Sequence, residues 1–115
     1  MKLMIAGSRG IENFDLSPYI PTDVELIITG GANGIDALTE KYADEQKISK
    51  LVLRPNYNLY KRAAPLKRNE IMIEMADRVL VIWDGQSRGS YYTIKYAEKL
   101  RKSLQVIQIK KANRC

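Results

Sequence analysis

Short runs of β-branched and other apolar residues alternate along this chain with stretches in which apolar residues recur at helical spacing. The apolar runs lie at Lys2 to Ala6, Glu25 to Ile28, Lys50 to Leu53, Arg78 to Trp83 and Ser103 to Ile109. Helical spacing covers Gly34 to Gln46, Leu66 to Ala76 and Tyr91 to Lys102. Because each connection between the apolar runs is about a dozen residues or more, the connections are long enough for crossovers between parallel strands. The pattern predicts an α/β domain with a sheet of about five parallel strands covered by helices on both faces.

Three further segments complete the predicted organisation. Residues 7–24 are irregular, and Pro18 and Pro21 limit any helix there to a turn or two. Residues 54–64 are polar, aromatic and basic without periodicity, which predicts a loop, and Pro65 suits the first turn of the helix that follows. The last six residues, 110–115, are predicted to be a frayed end. In the helix after Pro65 we expect three apolar side chains to share one face, namely Ile71, Met72 and Met75.

Size and composition limit the classes of protein to be considered. The chain has 115 residues, which is enough for one domain, and we expect residues 1–115 to form a single one. No apolar run approaches the roughly 20 residues that a membrane-spanning helix needs, and the apolar start is too short for a signal peptide. Histidine is absent and Cys115 is the only cysteine, which argues against a metal site and a disulfide framework. We therefore expect no membrane association and a reducing, cytoplasmic location.

The formal net charge of +6 has two interpretations. The basic residues crowded into the last 17 positions are typical of a solvated surface. Alternatively, the surplus of Lys and Arg favours an anionic partner, either nucleic acid or a phosphorylated small molecule. A second group of bases lies nearer the glycine-rich motifs, at Arg54, Lys61, Arg62, Lys67 and Arg68.

Three unusual loops follow predicted strands. They are Gly7-Ser8-Arg9-Gly10, the T-G-G-A-N-G-I-D stretch from Thr29 to Asp36, and the segment from Asp84 to Ser90. In an open parallel sheet, ligands bind beyond the carboxyl ends of the strands, where the strand order reverses. Each loop offers glycine, hydroxyl and backbone N–H groups, and two open into helices, whose N-termini favour anions. Together the loops predict a ligand site at this edge of the sheet.

Each of these residues also has an alternative, purely structural interpretation. Gly30, Gly31 and Gly34 serve either a tight turn or the close approach of a ligand, and the stretch matches neither a dinucleotide fingerprint nor a P-loop. Asp36 is either a favourable partner of the helix dipole or a ligand for a ribose hydroxyl. Arg68 is either an exposed surface base or a guanidinium clamp for a phosphate.

The aromatic residues are similarly open to two interpretations. Trp83 is expected in the core or in a pocket wall at the end of its strand. Four tyrosines are candidates either to stack on a base or to close the rim of the site, namely Tyr57, Tyr60, Tyr91 and Tyr92.

The motifs taken together resemble the SLOG superfamily, the Rossmann-like group that includes the DNA-processing protein DprA (Smf) and the LOG cytokinin-activating hydrolases. The resemblance is strongest to its short YspA/YpsA-related branch. The matching stretches are Gly7-Ser8-Arg9, T-G-G-A-N-G-I-D, K-R-N-E-I-M at 67–72 and D-G-Q-S-R-G-S-Y-Y-T-I at 84–94. The resemblance implies a three-layer, Rossmann-like α/β domain that binds a nucleotide or nucleotide-derived ligand, as a sensor or processing module.

The residues that the resemblance and the loops assign to ligand binding are Gly7, Ser8, Arg9, Gly30, Gly31, Ala32, Asn33, Gly34, Asp36, Arg68, Asn69, Asp84, Ser87, Gly89, Ser90 and Thr93. No further cofactor is implied. The LOG enzymes cleave an N-glycosidic bond with an Arg and a Glu, and here the Arg falls on Arg68 while the Glu falls on Thr93. Threonine cannot serve as a carboxylate base, so LOG-like hydrolysis is an alternative that needs Asp36 or Asp84 as the carboxylate beside Arg68.

Binding of single-stranded DNA, as in DprA, is the other alternative. The DprA motifs match at Gly30 to Asp36, at Arg68-Asn69 and at Gly89 to Thr93, while the His that follows the DprA glycine loop is replaced by Glu40. Single-strand binders combine a basic groove with aromatic platforms. The resemblance also predicts a homodimer or a higher homo-oligomer.

Overall fold

The computed structural model describes residues 1–109 of the chain. Its strands are β1 (Lys2–Gly7), β2 (Leu26–Thr29), β3 (Ser49–Val52), β4 (Arg78–Trp83) and β5 (Ser103–Gln108). Its α-helices are α1 (Ile35–Glu45), α2 (Tyr57–Tyr60), α3 (Ala64–Met75) and α4 (Arg88–Lys99), and short 3-10 turns occupy Ser17–Tyr19 and Lys61–Ala63. The predicted frayed end, 110–115, lies outside the described residues.

All five strands pair in parallel, in the order β3-β2-β1-β4-β5. The central strand β1 is bonded on both sides, so that Met4 lies opposite Ile28 on β2 and Val79 on β4. The chain moves outward from β1 through β2 to β3, then returns to the other side of β1 as β4. The strand order therefore reverses between β1 and β4, which is the position where open α/β sheets form ligand crevices.

The two faces of the sheet carry separate cores, because successive side chains on a strand point to opposite faces. On β1, Leu3 and Ile5 pack with Ile35 of α1, whereas Met4 packs with Met72 of α3. The residues between β1 and β2 add Leu16 to the α1 side. Helix α4 packs on the same face as α3, with Ile94 and Ala97 buried. The predicted three-layer architecture, a five-stranded parallel sheet with helices on both faces, is confirmed.

The prediction of a loop over residues 54–64 was wrong in part. Helix α2 forms over Tyr57–Tyr60, followed by a 3-10 turn. The Asn56 side chain caps α2 by accepting a hydrogen bond from Leu59 N at 3.1 Å. A one-turn helix is too short to show periodicity in the sequence, so only the Asn-x-x-Leu cap could have indicated it. Pro65 does lie in the first turn of α3, as predicted.

The predicted inward face of α3 was also partly wrong. Met72 is buried, but Ile71 and Met75 are 39% and 38% exposed. The buried face instead contains Ala64, Arg68, Met72 and Ile73. Hydrophobicity alone could not have identified this face, because a buried arginine occupies one of its positions.

None of the helices in residues 1–109 is long and apolar enough to span a membrane.

Candidate ligand-binding cleft

A cleft of about 300 Å³ lies at the carboxyl edge of the sheet, where β1 and β4 end. The loops that follow β1, β2 and β4 form its walls, together with the N-terminal turns of α3 and α4. Its lining residues are Ala6, Gly7, Arg9, Gly10, Ala32, Asp36, Pro65, Leu66, Arg68, Asn69, Met72, Asp84, Ser87, Gly89, Ser90 and Thr93. We call this volume the main cleft.

Arg68 is buried in the wall of the main cleft, with only 7% of its surface exposed. Its Nη1 donates to the carbonyl oxygens of Gly30 at 2.6 Å and Leu53 at 3.1 Å. Its Nε donates to Asn69 Oδ1 at 2.8 Å. The guanidinium therefore joins α3 to the ends of β2 and β3, and the interpretation of Arg68 as an exposed surface base was wrong. Its third nitrogen, Nη2, donates no hydrogen bond to the described residues.

A short chain of hydrogen bonds fixes the orientation of Arg68 from the α4 side. Asn69 accepts from Arg68 Nε and donates through Nδ2 to Thr93 Oγ1 at 3.2 Å. Thr93 in turn donates to the carbonyl oxygen of Gly89 at 3.0 Å. The Thr93 hydroxyl is thus engaged within the protein, so its observed function in the fold is to tie α3 to the first turn of α4.

Asp36 supplies a buried carboxylate to the main cleft from the first turn of α1. Its Oδ2 accepts from the Ala32 N–H at 3.1 Å. Burial raises the pKa of Asp36, and this effect outweighs the Ala32 hydrogen bond and the positive charges of Arg68 and Arg9, which lower it. The Thr29 hydroxyl is close enough to favour the ionised form, although it is buried and makes no hydrogen bond of normal geometry. A carboxylate kept in a cleft at a cost in desolvation is typical of functional sites.

Replacing Asp36 by asparagine is expected to stabilise the fold at neutral pH. Because the pKa of Asp36 is raised in the folded state, ionisation of this group opposes folding above that pKa, whereas below the ordinary pKa of an aspartate the carboxyl is protonated in both states. The gain in the free energy of unfolding should therefore be present at pH 7 and lost at pH 3. Urea unfolding at both pH values checks this, and equal gains at the two would contradict it.

The N-terminal turn of α4 forms another wall of the main cleft, through Gly89 and Ser90. No side chain caps its first turn and no acidic residue lies in it, in contrast to α1, where Asp36 occupies the first turn. Its first amide groups and the positive end of its dipole are therefore available to an anion. The Ser90 hydroxyl, in a residue only 5% exposed, makes no hydrogen bond within residues 1–109.

Hydrogen bonds between neighbouring loops shape the approach to α4. Asp84 Oδ1 accepts from the amides of Gln86 and Ser87, both at 2.8 Å. Ser8 Oγ accepts from Asp84 N at 3.0 Å and lies 3.1 Å from Ser87 Oγ. Trp83 Nε1 donates to the Ser87 carbonyl at 3.0 Å, which places Trp83 in the support of this wall. Ser8, which is buried, therefore links the loops that follow β1 and β4.

The three glycines of the T-G-G-A-N-G-I-D stretch are each explained by close packing within the protein. A Cβ on Gly30 would lie 2.5 Å from Arg68 Nη1, and one on Gly31 would lie 2.4 Å from Arg54 Nη1. Gly34 has a φ of +71°, and its Cβ would lie 2.4 Å from two backbone carbonyl oxygens of the β1 loop. The close approach anticipated from the sequence is thus made, in this structure, to two arginines and to a neighbouring loop.

A second cleft of about 290 Å³ adjoins the main cleft and shares Arg9, Ala32 and Arg68 with it. Its other lining residues are Gly30, Gly31, Asn33, Arg54, Pro55 and Tyr57. Arg54 reaches it from the end of β3 and donates through Nη1 to the Gly31 carbonyl at 3.1 Å. We call this volume the arginine cleft.

Fourteen of the sixteen predicted ligand-binding residues line one of the two clefts. The exceptions are Ser8, which is buried and hydrogen bonds to the loop after β4, and Gly34, which packs against the β1 loop. Of the four tyrosines considered as stacking platforms, only Tyr57 lines either cleft in the part of the chain that the structure describes.

Several lining residues were not among the predicted site residues. The apolar wall of Pro65, Leu66 and Met72 was missed, and the only signal for it was the position of Pro65 at a helix N-terminus. Arg54 carried a signal as a base near the glycine motifs, but its strand end was not connected with the glycine loop. Within residues 1–109, no group of three or more acidic, histidine or cysteine side chains is arranged to hold a metal ion.

A scan against protein-family models, a search of curated proteins and a search of solved structures each gave no match to this chain. The resemblance to the SLOG superfamily therefore stays a prediction from the motifs, and the proposals below rest on the geometry of the clefts.

Proposed function

We propose that the main cleft binds a nucleotide or nucleotide-derived ligand, with the phosphate between Arg68 and the N-terminus of α4. The observation that carries this proposal is the buried guanidinium of Arg68. Three hydrogen bonds through Nε and Nη1 fix its position, while Nη2 keeps its donors unused by residues 1–109. A preoriented guanidinium and an uncapped helix N-terminus that line the same cleft have the chemistry of a phosphate site.

The other walls match the remaining parts of a nucleotide. The Asp36 carboxylate can accept hydrogen bonds from ribose hydroxyls. Because this carboxylate is buried and has lost contact with water, hydrogen-bond donors from a ligand would stabilise its charge. Leu66, which is 37% exposed, and the neighbouring Pro65 provide an apolar surface for a base. Clefts of this size that combine an apolar wall with a few fixed polar groups are typical of small-molecule sites.

The proposal assigns binding and no reaction. Thr93, which occupies the position of the LOG glutamate, uses its hydroxyl in hydrogen bonds to Asn69 and Gly89. Asp84, an alternative carboxylate, accepts two backbone amides in the turn that leads into α4. Both groups thus have structural functions in the cleft wall, which leaves Asp36 as the carboxylate that the LOG-like alternative would require beside Arg68.

Thermal unfolding in the presence of nucleotides tests the proposal. A ligand that binds only the folded state stabilises it by about 2.7 kcal/mol at a free concentration of 100 times Kd. We expect AMP or ADP-ribose at millimolar concentration to raise Tm, while adenosine, which lacks the phosphate, gives a much smaller shift. If no nucleotide changes Tm, the proposed function is wrong.

Gly89→Ala separates the requirements of folding from those of binding. Gly89 lies in the first turn of α4, is exposed, and a Cβ there would meet nothing within 4 Å. Alanine should stabilise the free protein by about 0.5–1 kcal/mol through its higher helix propensity. Because Gly89 lines the main cleft, the same Cβ would take space from a phosphate bound at the α4 N-terminus, and the affinity for AMP should fall about tenfold or more.

Urea unfolding and calorimetric titration of the Gly89→Ala variant measure the two effects. A matched control is Ala97→Gly, which changes the same helix at a buried position that lines neither cleft and should lower stability alone. A Gly89→Ala variant that binds AMP as tightly as the wild-type chain would exclude the α4 N-terminus as the phosphate site.

A further inference from the structure

Three arginines converge on the arginine cleft from different elements. Arg9 comes from the loop after β1, Arg54 from the end of β3, and Arg68 from α3. Within residues 1–109, no carboxylate lies at ion-pair distance from any of the three guanidinium groups. Their mutual repulsion is partly offset by Asp36, which is close enough to interact with Arg9 and Arg68.

The backbone around these arginines leaves room for them. Gly30 and Gly31 lack the Cβ atoms that would collide with the guanidinium groups of Arg68 and Arg54. The Gly31 carbonyl accepts a hydrogen bond from Arg54, which orients this exposed side chain along the cleft wall. The chain therefore holds three positive charges around one concave volume, with only the Asp36 carboxylate near two of them and beyond ion-pair distance among residues 1–109. An anion placed there would relieve their remaining repulsion.

Tyr57 adds an aromatic surface to the arginine cleft. Its side chain is 58% exposed, lines the cleft, and lies near enough to Arg68 to affect the guanidinium electrostatically. The Asn56 cap fixes the single turn of α2 that presents it. An exposed ring beside a cationic cleft is suited to stacking against a ring of the ligand.

We propose that the arginine cleft is a second anion subsite, which takes the second phosphoryl group of a ligand whose first phosphate lies in the main cleft. This subsite rests on the proposed nucleotide function, because the two clefts share Arg9, Ala32 and Arg68 and a single ligand can extend across them. The ligand class is then a small nucleotide diphosphate or dinucleotide, with its far group against Tyr57. The limited volumes of about 300 and 290 Å³ favour such a small ligand over a long polymer.

The test compares AMP, which has one phosphate, with ADP-ribose, which has two phosphates and a second sugar, by calorimetric titration. The wild-type chain should bind ADP-ribose about tenfold more tightly than AMP, since the second phosphate gains charge-assisted hydrogen bonds. Arg54→Ala should remove this advantage and change the affinity for AMP less than about twofold. Arg62→Ala removes an exposed arginine that lines neither cleft, and it should preserve the advantage.

The outcomes are distinguishable. If AMP binds but ADP-ribose binds no more tightly, or if Arg54→Ala weakens both ligands equally, the second subsite is wrong and the main cleft stands. If neither ligand binds, the proposed function fails and the subsite fails with it. A single-stranded oligonucleotide that binds more tightly than ADP-ribose, with an affinity that depends on Arg54, would overturn the small-ligand class in favour of nucleic acid.

Discussion

Gly34→Ala is expected to destabilise the domain severely. Gly34 precedes α1 with φ 71° and ψ −126°, a conformation essentially restricted to glycine. Its Cβ would also lie 2.4 Å from the carbonyl oxygens of Ser8 and Arg9, which are backbone atoms that cannot rotate away. Backbone strain and overpacking together should cost about 3 kcal/mol or more in the free energy of unfolding. That loss is a large fraction of the stability of a typical domain.

Gly10→Ala is the matched control, because Gly10 lies in the neighbouring loop. A Cβ on Gly10 would meet nothing within 4 Å, and its φ is not positive. The change in the free energy of unfolding should be within about 0.5 kcal/mol. Urea unfolding of both variants measures the difference, and a Gly34→Ala variant as stable as Gly10→Ala would contradict the close packing of the β1 and β2 loops.

Arg68→Ala is expected to impair both folding and binding. Removing the guanidinium leaves the carbonyl oxygens of Gly30 and Leu53 without their donor and leaves a gap among α3, β2 and β3. We expect a loss of about 2–3 kcal/mol in the free energy of unfolding, because hydrogen bonds to a buried charge are involved. Below its melting temperature, the folded variant should bind AMP at least about tenfold more weakly, since the phosphate loses its clamp.

From the sequence, Arg68 was either an exposed surface base or a phosphate clamp, whereas the structure makes it a support for the loops as well. Arg62→Ala, at an exposed position in the turn before α3, should change neither property. Thermal unfolding and calorimetric titration at a temperature where both variants are folded separate the two effects. Unchanged stability in Arg68→Ala would show that the three hydrogen bonds of the guanidinium do not hold the loops together.

The parts of the fold that could be predicted are the elements marked by the alternation of apolar runs with helically spaced segments along the chain. The apolar runs and the crossovers between them identified all five strands, three helices and the edge where the glycine loops meet. Helix α2 escaped prediction because one turn has no periodicity, and its cap residue Asn56 is a weak signal. The inward face of α3 was mispredicted because Arg68 occupies a core position that hydrophobicity would give to an apolar residue.

The sequence predicted where the candidate site lies, but not which contacts its residues make with one another. The motifs identified the residues, but they could not show that Ser8 and Thr93 hydrogen bond within the protein, because those partners come from distant elements. The role of Gly30 and Gly31 was equally inaccessible, since it depends on the arginines that approach them from α3 and β3. Contacts between elements that are distant in the chain could not be predicted from this single sequence.

The structure of this protein crystallised and soaked with AMP would test the central proposal most directly. We expect the phosphate in the main cleft, bonded to Arg68 Nη2 and to amides at the N-terminus of α4, with the ribose hydroxyls facing Asp36. AMP bound elsewhere at a concentration that saturates binding in solution, with the main cleft empty, would contradict the proposed function.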